Sequence, residues 1–199
     1  MNVYPSNNIR NVGIVAHGGS GKTSLAEALL FNAGATKRLG KVDEGNTVTD
    51  YHPEEIKRKV SINTSLAIAE WQKHKINLLD TPGYSDFFGD VLAALRVVDS
   101  LLVVISAVDG VKVQTEIVWE EADKRNKMPR LVYINKMDRE NANFHKVIDS
   151  MREKLSGNIV PLQLPIGAAE TFSGIIDLLE QKAYTYDKNG NEKETAIPA

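Results

Sequence analysis

The sequence contains no cysteine and carries almost no net charge. Without cysteine it forms no disulfide and holds no metal through a thiolate. The formal net charge of -2 also excludes the overall basic field that nucleic-acid-binding proteins use. We therefore expect no direct DNA binding, and a cysteine-free chain fits a cytoplasmic protein.

Long apolar runs are absent as well. No stretch approaches the ~20 residues that span a bilayer, and the first residues lack the charged and apolar regions of a signal peptide. We therefore expect no membrane partner. The 199 residues suffice for one well-packed domain and part of a second.

Short apolar runs alternate with amphipathic stretches along most of the chain. This alternation is typical of βαβ units around a largely parallel sheet. The pattern predicts strands at residues 12–16, 66–71, 75–79, 101–105 and 131–134, and helices at residues 22–33, 88–98, 113–125 and 142–155. The predicted fold class is therefore α/β, a mostly parallel sheet with helices on both faces.

Two segments lack the periodicity of core elements. Residues 34–59 are polar and charged, and a loop that long inside a compact domain is usually functional or disordered. Residues 187–192 form a polar turn. After this turn we expect no closing element before the chain stops.

The strongest local motif lies between the first predicted strand and the first predicted helix, where a phosphate-binding loop belongs. Successive backbone N–H groups and the helix N-terminus there form an anion cradle. In such a loop the lysine reaches the β- and γ-phosphates and the threonine hydroxyl binds Mg²⁺. The motif is Ala16, His17, Gly18, Gly19, Ser20, Gly21, Lys22 and Thr23, with Ala16 where a first glycine is often found. The alternative is a glycine-rich turn with an incidental Lys-Thr pair.

A second motif follows the strand predicted at residues 75–79. It consists of Asp80, Thr81, Pro82 and Gly83. A carboxylate at the carboxyl end of a strand can bind the Mg²⁺ of a nucleotide, and a glycine lets a backbone N–H approach the γ-phosphate closely. Alone, the motif is equally consistent with an ordinary turn.

A third motif follows the strand predicted at residues 131–134. It consists of Asn135, Lys136, Met137 and Asp138. The Asp138 carboxylate can accept hydrogen bonds from both N1–H and the 2-amino group of guanine. Adenine offers neither donor, and a charged acceptor left unpaired is costly. Asn135 would brace the loop and the Lys136 stem would lie along the base. The alternative is a solvated loop of mixed charge.

Together these motifs resemble those of translational GTPases, and the connecting sequence resembles elongation factor G. The segments that carry the resemblance are Asp80-Thr81-Pro82-Gly83-Tyr84-Ser85-Asp86-Phe87, Val118-Trp119, Asn135-Lys136-Met137-Asp138-Arg139, Asn141-Ala142-Asn143-Phe144 and Pro161-Leu162-Gln163-Leu164-Pro165-Ile166-Gly167-Ala168. The resemblance implies a P-loop GTP-binding domain that binds GTP and GDP with Mg²⁺, hydrolyses GTP, and acts on the ribosome through the full-length protein.

The resemblance also implies two switch segments and a domain boundary. Switch I would cover residues 44–64, with Ser61 at the position of the Mg²⁺-binding threonine, and switch II would begin at Asp80 and end near Phe88. We accordingly expect Thr23, Ser61 and Asp80 to bind the metal. The GTP-binding domain would cover residues 1–166, and residues 167–199 would begin an inserted subdomain.

Three residues depart from the family pattern. Tyr84 stands where elongation factor G has the histidine that helps to place the attacking water, Gly19 replaces an aspartate and Ser61 replaces a threonine. A phenol with a pKa near 10 is a poor base at neutral pH. These departures indicate a divergent elongation factor G-like subgroup, in which we assign catalytic roles to Lys22, Thr23, Gly83 and Tyr84.

The Ser-Ala loop whose backbone reads the guanine oxygen is not found, because Ser106-Ala107 precedes the Asn135 motif. The chain is therefore expected to be truncated and to bind nucleotide weakly. Three other functions stay open: a regulator with little hydrolysis, a ribosomal-protection GTPase that removes an antibiotic, and an ATPase or small-molecule kinase. The Asn135 motif opposes the last of these.

Overall fold

The computed structural model describes residues 3–125, 128–187 and 190–198. The chain forms two compact units. The first consists of residues 1–105 and 112–133, and the second of residues 106–111 and 134–199. Within the described ranges, no helix is both long and apolar enough to cross a membrane.

The first unit is built on a five-stranded sheet with the order β2-β3-β1-β4-β5. Its central strand β1 pairs in parallel with β3 and β4, and β2 pairs with β3 as an antiparallel edge strand. The strands are β1 (Ile9–Val15), β2 (Ser65–Trp71), β3 (His74–Asp80), β4 (Ser100–Ser106) and β5 (Arg130–Asn135). The central position of β1 places the residues that follow it at the middle of the sheet edge.

Helices connect these strands, and the apolar side of the first one packs onto the sheet. They are α1 (Lys22–Asn32), α2 (Pro53–Arg58), α3 (Phe88–Ala94) and α4 (Val113–Lys124). Buried Ala26 and Leu30 of α1 meet Ile14, Leu78 and Val104 of the sheet in one apolar core. This packing fixes the start of α1, and with it the preceding loop, against the ends of β1 and β3.

The second unit contains α5 (Phe144–Lys154) and a four-stranded antiparallel sheet. Asn143 caps α5 by accepting a hydrogen bond from the Lys146 N–H group at 2.9 Å. The sheet consists of β6 (Gln163–Ile166), β7 (Gly174–Asp177), β8 (Lys182–Tyr186) and β9 (Glu192–Thr195), paired in chain order.

The predicted α/β fold, a central sheet flanked by helices, is confirmed. Helix α3 ends four residues before the predicted 98, because Arg96 and Val97 donate to carbonyls only three residues back. The expectation that the 187–192 turn leads to no further element is wrong, since β9 follows it and pairs with β8. Of that turn, Lys188 and Asn189 lie outside the described residues.

Candidate nucleotide-binding site

The predicted phosphate loop lies between the end of β1 and the first turn of α1. Gly19 and Gly21 have φ angles of 76° and 97°. Residues other than glycine rarely adopt this left-handed backbone conformation. Gly19 replaces the family aspartate at one of these positions. The loop ends where α1 begins at Lys22, so the unpaired N–H groups of a helix start lie at the loop.

Lys22 is the cation of this loop and is almost fully buried, with 5% of its surface exposed. Its Nζ donates to the His17 carbonyl at 3.1 Å. Burial lowers the pKa of Lys22 to about 8, and the carboxylates of Asp80 and Asp50 raise it in part. A buried ammonium group of this kind gains most from an anionic ligand such as phosphate.

The carboxyl group of Asp80, at the last position of β3, joins three segments of the first unit. Its Oδ2 accepts hydrogen bonds from the hydroxyls of Thr23 at 2.8 Å and Thr49 at 2.9 Å. The Oγ atoms of Thr23 and Ser61 lie 3.2 Å apart. Burial raises the pKa of Asp80 to about 6, while Lys22 and the two threonine hydroxyls oppose this shift.

The oxygen donors around Asp80 fit a magnesium ion. Asp80 Oδ1 is buried and has no hydrogen-bond partner among the described residues, which is unusual for a carboxyl oxygen removed from water. The Thr23 hydroxyl donates to the other oxygen of this carboxyl group, and the Ser61 hydroxyl lies 3.2 Å from that of Thr23. Mg²⁺ prefers such hard oxygen ligands, shared with the phosphates of its nucleotide.

The turn after β3 is held against β1 and pressed onto the phosphate loop. Both the N–H group and the hydroxyl of Thr81 donate to the Ile14 carbonyl, at 3.2 and 2.8 Å. Pro82 and Gly83 are buried. A Cβ on Gly83 would collide with Lys22 Nζ and would lie 2.7 Å from the Gly18 nitrogen. Only glycine therefore fits at position 83.

Tyr84 lies over the phosphate loop rather than away from it. A Cβ added to Gly18 would come within 2.9 Å of the Tyr84 ring, although the tyrosine remains 47% exposed. The side chain that replaces the family histidine thus covers Gly18 with an aromatic face.

Three residues of this region carry contacts that the sequence did not single out. Thr49 bonds to Asp80, and the buried carboxyl groups of Glu27 and Glu55 accept hydrogen bonds from the backbone of residues 40–63. A lone threonine in a polar loop and glutamates in helices give no sequence signal for such roles, because solvated faces contain the same residues.

In the second unit, the Asn135 motif follows β5 in a turn. The Asn135 side chain accepts a hydrogen bond from the Lys136 N–H group at 2.8 Å, and Lys136 has a left-handed φ of 64°. Met137 is buried and its carbonyl accepts from the Ala169 N–H group at 2.8 Å. The Asp138 side chain is 70% exposed, with the Arg139 guanidinium 3.9 Å away. The carboxylate of Asp138 is therefore accessible to the base of a nucleotide.

The structure brings together the first two motifs and the predicted metal ligands. The residues of the phosphate loop, the turn after β3, Thr23, Ser61 and Asp80 all lie in the first unit. The Asn135 motif belongs to the second unit. The roles assigned to all of these residues from sequence stay predictions.

A phosphate loop after the central strand, a buried aspartate at the end of the neighbouring strand and glycine beside the lysine define a P-loop nucleotide-binding domain. The profile described as Elongation factor Tu GTP binding domain matches residues 7–197. The chain belongs to this family. It is a GTP-binding domain of the elongation-factor type.

A solved structure gives the same result. The crystal structure of a protein from Thermus thermophilus matches with a TM-score of 0.89 and 42% sequence identity. The match covers 96% of this chain and 28% of that protein. The predicted membership of the translational GTPases, with a domain of the elongation factor G type, is confirmed.

The contact between Tyr84 and Gly18 leads to a first prediction. Gly18→Ala forces a methyl group into the tyrosine ring, and we expect nucleotide affinity to fall about tenfold, since overpacking typically costs 1–3 kcal/mol. Tyr84→Ala removes the obstacle, so the double variant should regain most of the affinity. Titration of GDP into the two single variants and the double variant measures the coupling. If Gly18→Ala lowers the affinity for GDP equally in the presence of Tyr84 and of Tyr84→Ala, the predicted coupling between the two residues is contradicted.

Proposed function

We propose that the protein hydrolyses GTP to GDP and phosphate and uses the loss of the γ-phosphate to switch its conformation on the ribosome, in the cytoplasm. The observation that supports this most is the hydrogen bonding of Thr23 and Thr49 to Asp80, with the Ser61 hydroxyl 3.2 Å from that of Thr23. These contacts connect the phosphate loop to both segments that are expected to move. Such segments are ordered by the γ-phosphate and released on hydrolysis.

Binding of the phosphates would fall to Lys22 and the backbone of the phosphate loop. Lys22 Nζ would exchange its hydrogen bond to the His17 carbonyl for phosphate oxygens, whose negative charge would offset the cost of burying the ammonium group. When bound, Mg²⁺ supplies charge neutralisation of the phosphates. Thr23, Ser61 and Asp80 are the residues that would hold it.

Hydrolysis requires a water aligned with the γ-phosphate and stabilisation of the developing charge. The Lys22 ammonium and the backbone of Gly83 are adjacent, since a Cβ on Gly83 would collide with Nζ. Together they would stabilise the charge on the transferred group. Tyr84 would help to place the water through its hydroxyl group, without acting as a base.

The substitutions at positions 19, 61 and 84 support the further proposal that the protein is of a divergent elongation factor G-like subgroup. We also propose that residues 1–166 act as the GTP-binding domain and residues 167–199 as the start of an inserted subdomain. Strands β7, β8 and β9 lie in residues 167–199 and belong to an antiparallel sheet rather than to the mostly parallel central sheet, which supports a distinct role for these residues.

Selection of guanine by Asp138 can be tested by calorimetric titration with GDP and ADP in the presence of Mg²⁺. We expect heat with GDP alone, and its loss in Asp138→Asn, because an amide cannot accept both guanine donors. Asp149→Asn is the matched control, since Asp149 is an exposed residue of α5 that faces Arg152 at 3.7 Å. Equal binding of ADP would contradict guanine selection.

A second candidate function is that of a nucleotide-binding regulator with little hydrolysis. The position of the Tyr84 ring over Gly18 favours it, because a phenol group replaces an imidazole beside the phosphate loop. In this case the bound nucleotide itself, rather than its turnover, would set the conformation.

Ribosome-stimulated GTP turnover separates the two candidates. If Tyr84 supports hydrolysis, the natural protein turns over GTP in the presence of ribosomes. The turnover rate of Tyr84→Phe, which lacks the hydroxyl group, should then be lower by about tenfold or more, as is common when a positioning contact is lost. If the protein is a regulator, turnover is negligible and rises in Tyr84→His. Equal turnover in all three proteins would show that residue 84 does not limit the reaction.

A further inference from the structure

Glu27 is a buried acidic residue that the proposed reaction does not use. It lies on α1, one helical turn beyond Thr23, and only 1% of its surface is exposed. Burial of a carboxyl group is unfavourable unless its oxygens are hydrogen-bonded. The hydrogen-bond partners of the Glu27 carboxyl group therefore indicate its role.

The two oxygens of the Glu27 side chain accept hydrogen bonds from the backbone at two points, one shortly before switch I and one within it. Oε2 accepts from the Gly40 N–H group at 3.1 Å, and Oε1 accepts from the Val48 N–H group. Residues 40 and 48 mark the two ends of a loop, and one carboxyl group of α1 thus holds both ends. We call residues 40–48 the tethered loop.

The tethered loop has no room for a side chain at its first residue. A Cβ on Gly40 would collide with Glu27 Oε2. Gly40 is buried, and a methyl group there would displace the carboxyl group from its position. The glycine thus allows the close approach of backbone and carboxyl on which the tether depends.

The residue directly after the tethered loop reaches the predicted metal site. Thr49 donates to Asp80 and its carbonyl accepts from the Ser65 hydroxyl at 2.6 Å. Glu27 thus fixes the chain one residue before its contact with Asp80. Because Glu27 and Thr23 share one helix, the tether links switch I to the same element that carries the phosphate contacts.

A second buried glutamate shapes the other half of switch I but does not connect it to α1. Glu55 accepts from the N–H groups of His52, Ile62 and Asn63, at 3.1, 2.9 and 3.0 Å. All of these partners belong to the switch segment itself. Of these two glutamates, Glu27 is the one that joins the segment to the helix that follows the phosphate loop.

We propose that Glu27 is a positioning residue that tethers switch I to α1 and so favours the conformation in which GTP is bound over that of GDP. This inference rests on the proposed function of the protein as a guanine-nucleotide switch. It assigns to Glu27 no contact with nucleotide or metal. Its effect is exerted through the N–H groups of Gly40 and Val48.

The test uses Glu27→Gln, which keeps the size of the side chain but directs an NH₂ group at one of the two backbone donors. Affinity for a non-hydrolysable GTP analogue should fall about tenfold, which corresponds to about 1.4 kcal/mol. Affinity for GDP should stay within about twofold, since GDP lacks the phosphate that orders the switches. Cleavage by trypsin after Lys41, which is exposed in the tethered loop, should quicken about tenfold because cleavage follows the open population.

Two further variants make the result specific. Gly40→Ala disturbs the same tether from the loop side and leaves α1 untouched, so it should reproduce both effects. Glu54 is a half-exposed glutamate of the same segment that pairs with Arg58 at 3.0 Å. The control variant Glu54→Gln should change neither the affinity for the GTP analogue nor the rate of cleavage after Lys41. A thermal unfolding transition shows that each variant is folded. If Glu27→Gln does not fold, the results for Gly40→Ala test the tether instead.

The outcomes separate the tether from the function on which it rests. Equal losses of GDP and GTP-analogue affinity, with unchanged cleavage after Lys41, would overturn the inference, because Glu27 would then only stabilise α1. Failure of the natural protein to bind either guanine nucleotide would instead contradict the proposed function. Even then, the cleavage rates of nucleotide-free protein show whether Glu27 holds the loop, and unchanged rates would overturn the tether.

Discussion

The buried carboxyl group of Asp80 is the point at which the phosphate loop and both switch regions meet. It ends the strand beside β1 and accepts hydrogen bonds from the hydroxyls of Thr23 and Thr49, and its other oxygen has no partner in the part of the chain that the structure describes. Burial of such a group is tolerated only where its charge and lone pairs are satisfied. The surrounding threonines and Lys22 satisfy part of this demand, and the proposed magnesium ion would satisfy the rest.

Parts of the site that depend on local sequence were predictable. Glycines with left-handed φ angles between an apolar strand and a helix specify a phosphate loop, and an aspartate directly after a buried strand falls at the carboxyl edge of the sheet. Because the carboxyl ends of parallel strands β1 and β3 lie at the same edge of the sheet, the topology places these two motifs close together. The α/β fold follows from the same alternation of strands and helices.

Contacts between residues distant in sequence were not predictable. Glu27 lies in a helix where it resembles a solvated charge, yet it is buried because Gly40 and Val48 return to it from the polar segment. Conversely, Phe31 is an apolar residue of α1 but is 43% exposed. Strand β9 escaped detection because Glu192, Lys193 and Glu194 are charged, and only pairing with β8 makes this exposed segment a strand.

The central claim is that Asp80 holds the magnesium ion through which the protein senses the γ-phosphate. The most direct measurement is the affinity for a non-hydrolysable GTP analogue with Mg²⁺ and with EDTA, in the natural protein, in Asp80→Asn and in the exposed control Asp86→Asn. The account predicts that Mg²⁺ strengthens binding at least about tenfold in the natural protein and the control, or about 1.4 kcal/mol, and hardly at all in Asp80→Asn. The same dependence on Mg²⁺ in all three proteins would contradict it.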